Sequence, residues 1–172
     1  MVALKAFKPI TVVLTLLLVL TGAAFISQKS WAQVVTTKTV SLKLAERLIT
    51  ACEIAARSKK LSMSLSVVDY TGNPVMIKRM DGASYKTLEV ATGKAKTAAL
   101  LGVPSAALQE LVDNGKLSYL TIPDMIMIRG GLPIMDGDDV IGGFAASGST
   151  EVQDEDCVQS ALQKWDLEKS ND

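Results

Sequence analysis

From residue 41 to residue 59 the apolar positions return every three or four residues: Ala45, Leu48, Ile49, Cys52, Ala55 and Ala56. That period predicts a helix with one core-facing side, and Ser41 stands where an N-cap is wanted. The period then drops to two. Met63, Leu65 and Val67 alternate with Ser62, Ser64 and Ser66 up to Asp69, the pattern of a strand buried on one side only. Thr71-Gly72-Asn73 turns the chain and Pro74–Met80 returns it, which predicts a hairpin. Asp81-Gly82-Ala83 leads into a second helix from about Ser84 to Leu101. Its face of Leu88, Ala91, Ala95, Ala98 and Ala99 is small enough to lie close on a sheet. Pro104 starts a shorter helix that ends near Asn114-Gly115. After a loop through Pro123, Met125–Arg129, Leu132–Met135 and Val140–Ser147 read as strands, the last two joined at Asp136-Gly137, a strong hairpin signal. A last helix runs from Glu151 to about Leu167. The succession predicts an α/β (α+β) domain with a five-stranded, mainly antiparallel sheet, because strands this near in sequence rarely pair in parallel without a crossover.

The first 32 residues do not share these periods. Lys5 and Lys8 precede an apolar run from Ile10 to Leu20, and Ser30-Trp31-Ala32 supplies small residues where a signal peptidase reads them. This succession predicts an export signal cleaved after Ala32, a periplasmic or secreted product, and no membrane attachment after cleavage. A membrane anchor is the competing reading, but the run is short for a span of about 20 residues. Residues 33–172 then form a single domain, long enough for a real core. Lys5, Lys8 and Lys29 leave with the leader, so 18 basic and 18 acidic residues become 15 and 18, a net charge of −3. No basic stripe remains to bind nucleic acid. Cys52 and Cys157 are the only cysteines, in a compartment that permits disulfides, and there is no histidine. A zinc site of the usual ligands and a Ser-His-Asp or Cys-His triad are therefore excluded.

The stretch GGLPIMDGDDVIGGFAASGS, residues 130–149, carries six glycines and three aspartates. A phosphate cradle at Ser147–Thr150 is disfavoured. Thr150 and Gln153 have the spacing of a capping box, and Glu151, Asp154, Glu155 and Asp156 already fill the following turns with negative charge. Asp136, Asp138 and Asp139 lack the alternation and terminal glutamate of a calcium loop and read as solvated turn carboxylates. Gly130-Gly131 and Gly142-Gly143 permit a bulge, or the close approach of a neighbouring backbone or a flat ligand. The helix that starts at Ser84 has Lys86 and no acid in its first turn, with Arg79 just upstream. Amides and two cations could meet a carboxylate there, or Arg79 could pair with Asp81 and Lys86 be solvated. Lys94 and Thr97 share a helix face that either lines a pocket or pairs with a neighbour. The strand methionines, Met76, Met80, Met125, Met127 and Met135, read mostly as core filling.

Three blocks, VVDYTGNPVMIKRMDGA (67–83), GKAKTAA (93–99) and GGLPIMDGDDVIGGFAASGSTEVQDEDC (130–157), resemble in order and spacing the GlcG/HbpS-like family. That family includes secreted haem-binding proteins and the C-terminal domain of PduO-type proteins. The likeness covers about Ser41 to Trp165. It implies a profilin-like α-β-α domain assembled into homo-oligomers, often octamers, that in some members binds or degrades haem. By motif it marks Arg79, Asp81 and Gly82, Lys94 and Thr97, and Gly130, Gly131 and Pro133 as ligand-binding positions, beside the Ser84 amide end and Lys86. Tyr85, Lys86, Gly93 and Lys96 depart from the usual helix pattern, and haem ligation by histidine is impossible here. The iron would take Thr97 first, with Tyr85, Met80 or water as alternatives. The fold also implies that the first and last helices pack side by side, bringing Cys52 to Cys157 as a disulfide, against the alternative of two buried free thiols. Three function classes stay open: binding of haem or a related carboxylated small molecule, catalysis on haem or a small organic acid, and assembly without chemistry. Asp81, Lys94 and Asp69 are the acids and bases available to an enzyme, and nothing in the sequence shows them converging.

Overall fold

The computed structural model describes residues 35–169; the leader read at Met1–Ala32 lies outside the described residues. From Thr37 onward the chain clusters as one unit. Among the described residues, four helices, α1 (Leu42–Ser58), α2 (Lys86–Leu101), α3 (Ser105–Asp113) and α4 (Glu151–Lys169), accompany four strands, β1 (Ser64–Asp69), β2 (Pro74–Arg79), β3 (Gly131–Asp136) and β4 (Asp139–Ser147). A 3₁₀ turn spans Leu117–Thr121. All strand pairs are antiparallel, in the order β2-β1-β4-β3.

The two faces of the sheet are covered differently. On one, Leu65 and Val67 of β1, Ile134 of β3 and Phe144 and Ala146 of β4 meet Leu48, Ile49 and Cys52 of α1 and Val158 and Ala161 of α4. Each large apolar side chain buried there is worth about 2 kcal/mol, so this layer is the main source of stability. Ser41 caps α1 as its position predicts, accepting the Leu44 amide at 3.2 Å. Cys52 and Cys157 are joined by a disulfide that ties α1 to α4, with Cα atoms 5.0 Å apart. On the other face, Val68 and Ala145 meet only Ala95 and Ala99 of α2. The serine side of β1, expected in solvent, is also covered: Ser64 and Ser66 are fully buried under α2 and bond to Thr87 and Thr92. Serine serves there because its short side chain lets the helix come close and its hydroxyl finds a helix partner.

A fifth strand is absent from the described residues. Met125–Arg129, expected as a strand, is irregular, because its polar backbone is claimed by helices instead of a ladder. The Ile126 amide donates to Thr97 Oγ1 at 3.0 Å, the Ile128 carbonyl accepts Ser105 Oγ at 2.7 Å, and the Arg129 amide donates to Gln109 Oε1 at 2.8 Å. The segment read as a strand is laid against α2 and α3.

Candidate functional site

Two glycines of the 130–149 stretch, Gly131 and Gly143, are seats for α2. A Cβ on Gly143 would lie 2.2 Å from the Ala95 carbonyl oxygen, and one on Gly131 would lie 2.5 Å from that of Lys94. No side chain fits either gap, so of the openings left by the sequence the close approach of a backbone is the one observed. The same turn of α2 buries Lys94 at 1% exposure. Its ammonium is paired with Asp154 Oδ2 at 3.0 Å and bonds to the Ala146 carbonyl at 3.3 Å. Asp154 Oδ1 accepts the Ser149 amide at 3.0 Å, and Thr150 with Gln153 closes the capping box. The Ser149 and Thr150 amides before α4 are thus taken by the side chains of Asp154 and Gln153. Thr97 is also fully buried; its hydroxyl donates towards the Gly93 and Ile126 carbonyls and accepts the Ile126 amide.

The residues singled out from sequence therefore divide into a largely buried group and an exposed one. Lys94, Gly130 and Gly131 meet beneath α2, where a Cβ on Gly130 would come within 3.0 Å of Lys94 Nζ. Thr97 is buried on the same helix, and half-buried Pro133 pairs with Gly143 on the β3 edge. Arg79, Asp81, Gly82, Ser84 and Lys86 are all exposed around the entry to α2. Arg79 donates to the Ala83 carbonyl at 3.3 Å. The first turn of α2, expected to be free of acid, contains Glu89, because the helix starts at Lys86 and not at Ser84; Lys86 and Glu89 form an ion pair. Tyr85 is 78% exposed and Met80 lies in the main core. Asp69 and Asp81 stand at opposite ends of the β1–β2 hairpin. Partial burial pushes the Asp69 carboxyl up, but the Thr71 hydroxyl and the Asn73 and Thr71 amides together hold it below the usual carboxylate range. Asp69, Asp81 and Lys94 do not converge.

At the β3–β4 turn, Lys38 lies 3.0 Å from Asp136 and 2.9 Å from Asp139, and Lys169 also pairs with Asp136. These lysines hold the Asp136 carboxyl below its ordinary range, Lys169 most. Among the described residues no cluster of three or more acids, cysteines or histidines is placed to hold a metal ion.

A cleft opens on a side of α2 that the motifs did not mark. It has a volume of about 520 Å³ and runs between α2, β2 and the Asp124–Ile126 segment. Leu88, Thr92 and Lys96, together with Glu89 and Gly93, form a stripe at three- and four-residue spacing along one side of α2. Ile77 and Met125 supply further apolar wall. Gly93 lets the Ile126 side chain pack close against α2: a Cβ there would stand 2.6 Å from Ile126 Cγ1. Asp124 has a left-handed backbone, φ 60°, which a residue with a Cβ adopts at some cost. Together with the Thr97 bonds to Ile126, that turn sets the position of Met125. The Thr92 hydroxyl is used within the protein, on the Leu88 carbonyl and Ser66. Lys96 makes no ion pair among the described residues and neither does Asp124, so the cleft holds one available cation and one unpaired acid, Glu89 being paired with Lys86 outside the lining. Two other hollows suit an anionic ligand less. That between α3 and α4 is walled by Glu110, Asp113 and Glu155, with Arg129 already paired to Glu155. The one between α1 and α4 is only about 290 Å³. The 88–92–96 spacing was visible in the sequence; what hid it was that the opposite wall comes from the irregular Asp124–Ile126 segment, most of it inside the Met125–Arg129 stretch read as a strand.

A family model described as haem degrading protein, HbpS-like, matches residues 40–163. A Citrobacter freundii sequence described as an uncharacterized 15.0 kDa protein of the dhaT–dhaS intergenic region is 33% identical over 128 residues, covering 72% of this chain and 90% of its own. The crystal structure of Klebsiella pneumoniae protein ORFY superposes with a TM-score of 0.72 at 30% identity, covering 77% of this chain and 94% of that one. A crystal structure of a PduOC:heme complex gives a TM-score of 0.67 at 26% identity, with 73% and 94% covered.

Proposed function

The chain belongs to the HbpS-like family, and from that premise we propose that it is an exported protein that binds haem or a related flat, carboxylated molecule in the cleft beside α2, as a homo-oligomer. The observation that carries the proposal is the cleft itself. Its volume falls in the range of small-molecule sites, about 300–1,000 Å³, and Ile77, Leu88, Met125 and Ile126 give it apolar walls with Lys96 as the cation. An apolar ring would lie against those walls, and Lys96 would take one carboxylate by a charge-assisted hydrogen bond. When bound, haem supplies redox and oxygen chemistry. The chain's own part is to hold the ring, exclude water from one side of it and set the iron's surroundings. The PduOC:heme complex supports the ligand class. Export is supported by the charged, apolar and small-residue succession of Met1–Ala32 and accords with the Cys52–Cys157 disulfide. Assembly is supported by the apolar side chains exposed on and beyond α2, Leu100, Leu101, Val103, Leu117 and Leu120.

Titration of the purified protein with hemin, followed by the Soret band, tests the reading. A saturable shift that weakens in Lys96→Ala is expected. A linear, unsaturable response, equal for both proteins, would remove it. Turnover of bound haem in the presence of a reductant would move the protein from binding to catalysis.

A further inference from the structure

Resting on that reading, we infer that the thioether of Met125 is the group this chain offers to the iron of a bound haem. The argument is one of donor chemistry and placement. The chain contains no histidine. Of the three side chains that the sequence offered as ligands, Thr97 is fully buried, Met80 is in the core below α1 and Tyr85 is exposed at the start of α2; none of them lines the cleft. The cleft residues with donor atoms are Glu89, Thr92, Lys96, Asp124 and Met125. Glu89 is paired with Lys86 and Thr92 is bonded to Leu88 and Ser66. Lys96 is the cation a carboxylate requires, and as an ammonium it has no lone pair to give. Asp124 sits in the left-handed turn immediately before Met125. Met125 alone combines a soft, uncharged donor with an apolar wall, and thioether sulfur is a known axial ligand that raises the haem potential.

Hemin and metal-free protoporphyrin, titrated in parallel, separate this assignment from the reading beneath it. Wild-type protein should bind both, and ferric hemin should show the near-infrared charge-transfer band of a sulfur ligand. Met125→Leu, a volume-conserving change that keeps an apolar side chain on the wall, should change protoporphyrin affinity far less than hemin affinity. It should abolish that band and weaken hemin about tenfold, the loss of roughly one modest bond. Met125→His should bind hemin more tightly than wild type and give the spectrum of an imidazole complex. If neither porphyrin binds saturably, the cleft reading fails and this assignment with it. If both bind, but Met125→Leu keeps the wild-type hemin spectrum and affinity, the cleft stands and Met125 is not the ligand.

Discussion

Helix α2 has two working sides that differ in almost every respect. Towards the sheet it carries Ala91, Lys94, Ala95 and Ala98, all buried, with one charge fully paired and backbone seated on Gly131 and Gly143. Towards the cleft it carries Leu88, Thr92 and Lys96, partly open to solvent, with an ammonium that has no acid partner among the described residues. The first side resembles a site in sequence, since it combines a lysine, a threonine and facing glycines. In the folded chain these residues serve packing. The second side looks unremarkable in sequence and faces the cleft proposed for the ligand. Residue type marks chemistry only when the residue also has somewhere to apply it.

The sharpest test of the contrast is Lys94→Met. It leaves the Asp154 carboxylate buried without its ion partner and should destabilise the protein by about 3–5 kcal/mol in chemical denaturation. Lys94→Met with Asp154→Leu should recover much of that loss, because the stranded charge is gone; a double variant as unstable as the single one would contradict the pairing. Gly143→Ala should cost about 3 kcal/mol, at the upper end for overpacking, since the new methyl meets a helix backbone that has no rotamer to change. A melting temperature equal to wild type would show that α2 does not sit as described. Thr97→Val, by removing the acceptor of the Ile126 amide, should cost about 1–3 kcal/mol and weaken hemin by loosening the cleft wall. The shape of the bound spectrum should stay the same; a changed coordination spectrum would restore Thr97 as an iron ligand. Lys96→Ala, at a half-buried position with no ion partner, should change stability by less than about 1 kcal/mol, yet weaken hemin several-fold. Asp124→Asn, which removes the unpaired acid of the cleft lining, should have the smallest effect, a slight gain in hemin affinity and none in stability.

Much of this architecture was legible in the sequence. The 3.6-residue period of Ala45–Ala56, the Asp136-Gly137 turn and the Thr150–Gln153 capping box each express local physics, and each appears where it was expected. What escaped was non-local. Ser64 and Ser66 read as solvent-facing because serine is polar, but burial is decided by α2, which arrives from residues 86–101. Met125–Arg129 has the composition of a strand, yet the Thr97, Ser105 and Gln109 side chains compete for its backbone. The ion partner of Lys94 lies 60 residues on, beyond any spacing argument. The family blocks located α2 and its glycines correctly and so drew attention to the packed side of the helix.

The central claim, that ligand contact belongs to the cleft side of α2 and not to its motif side, is tested most directly by mapping a diamagnetic ligand. Amide chemical-shift changes in ¹⁵N-labelled protein titrated with metal-free protoporphyrin should concentrate at Ile77, Leu88, Thr92, Lys96 and Asp124–Ile126. Changes centred instead on Arg79–Lys86, or on Gly130–Pro133, with Lys96 and Met125 unmoved, would contradict it.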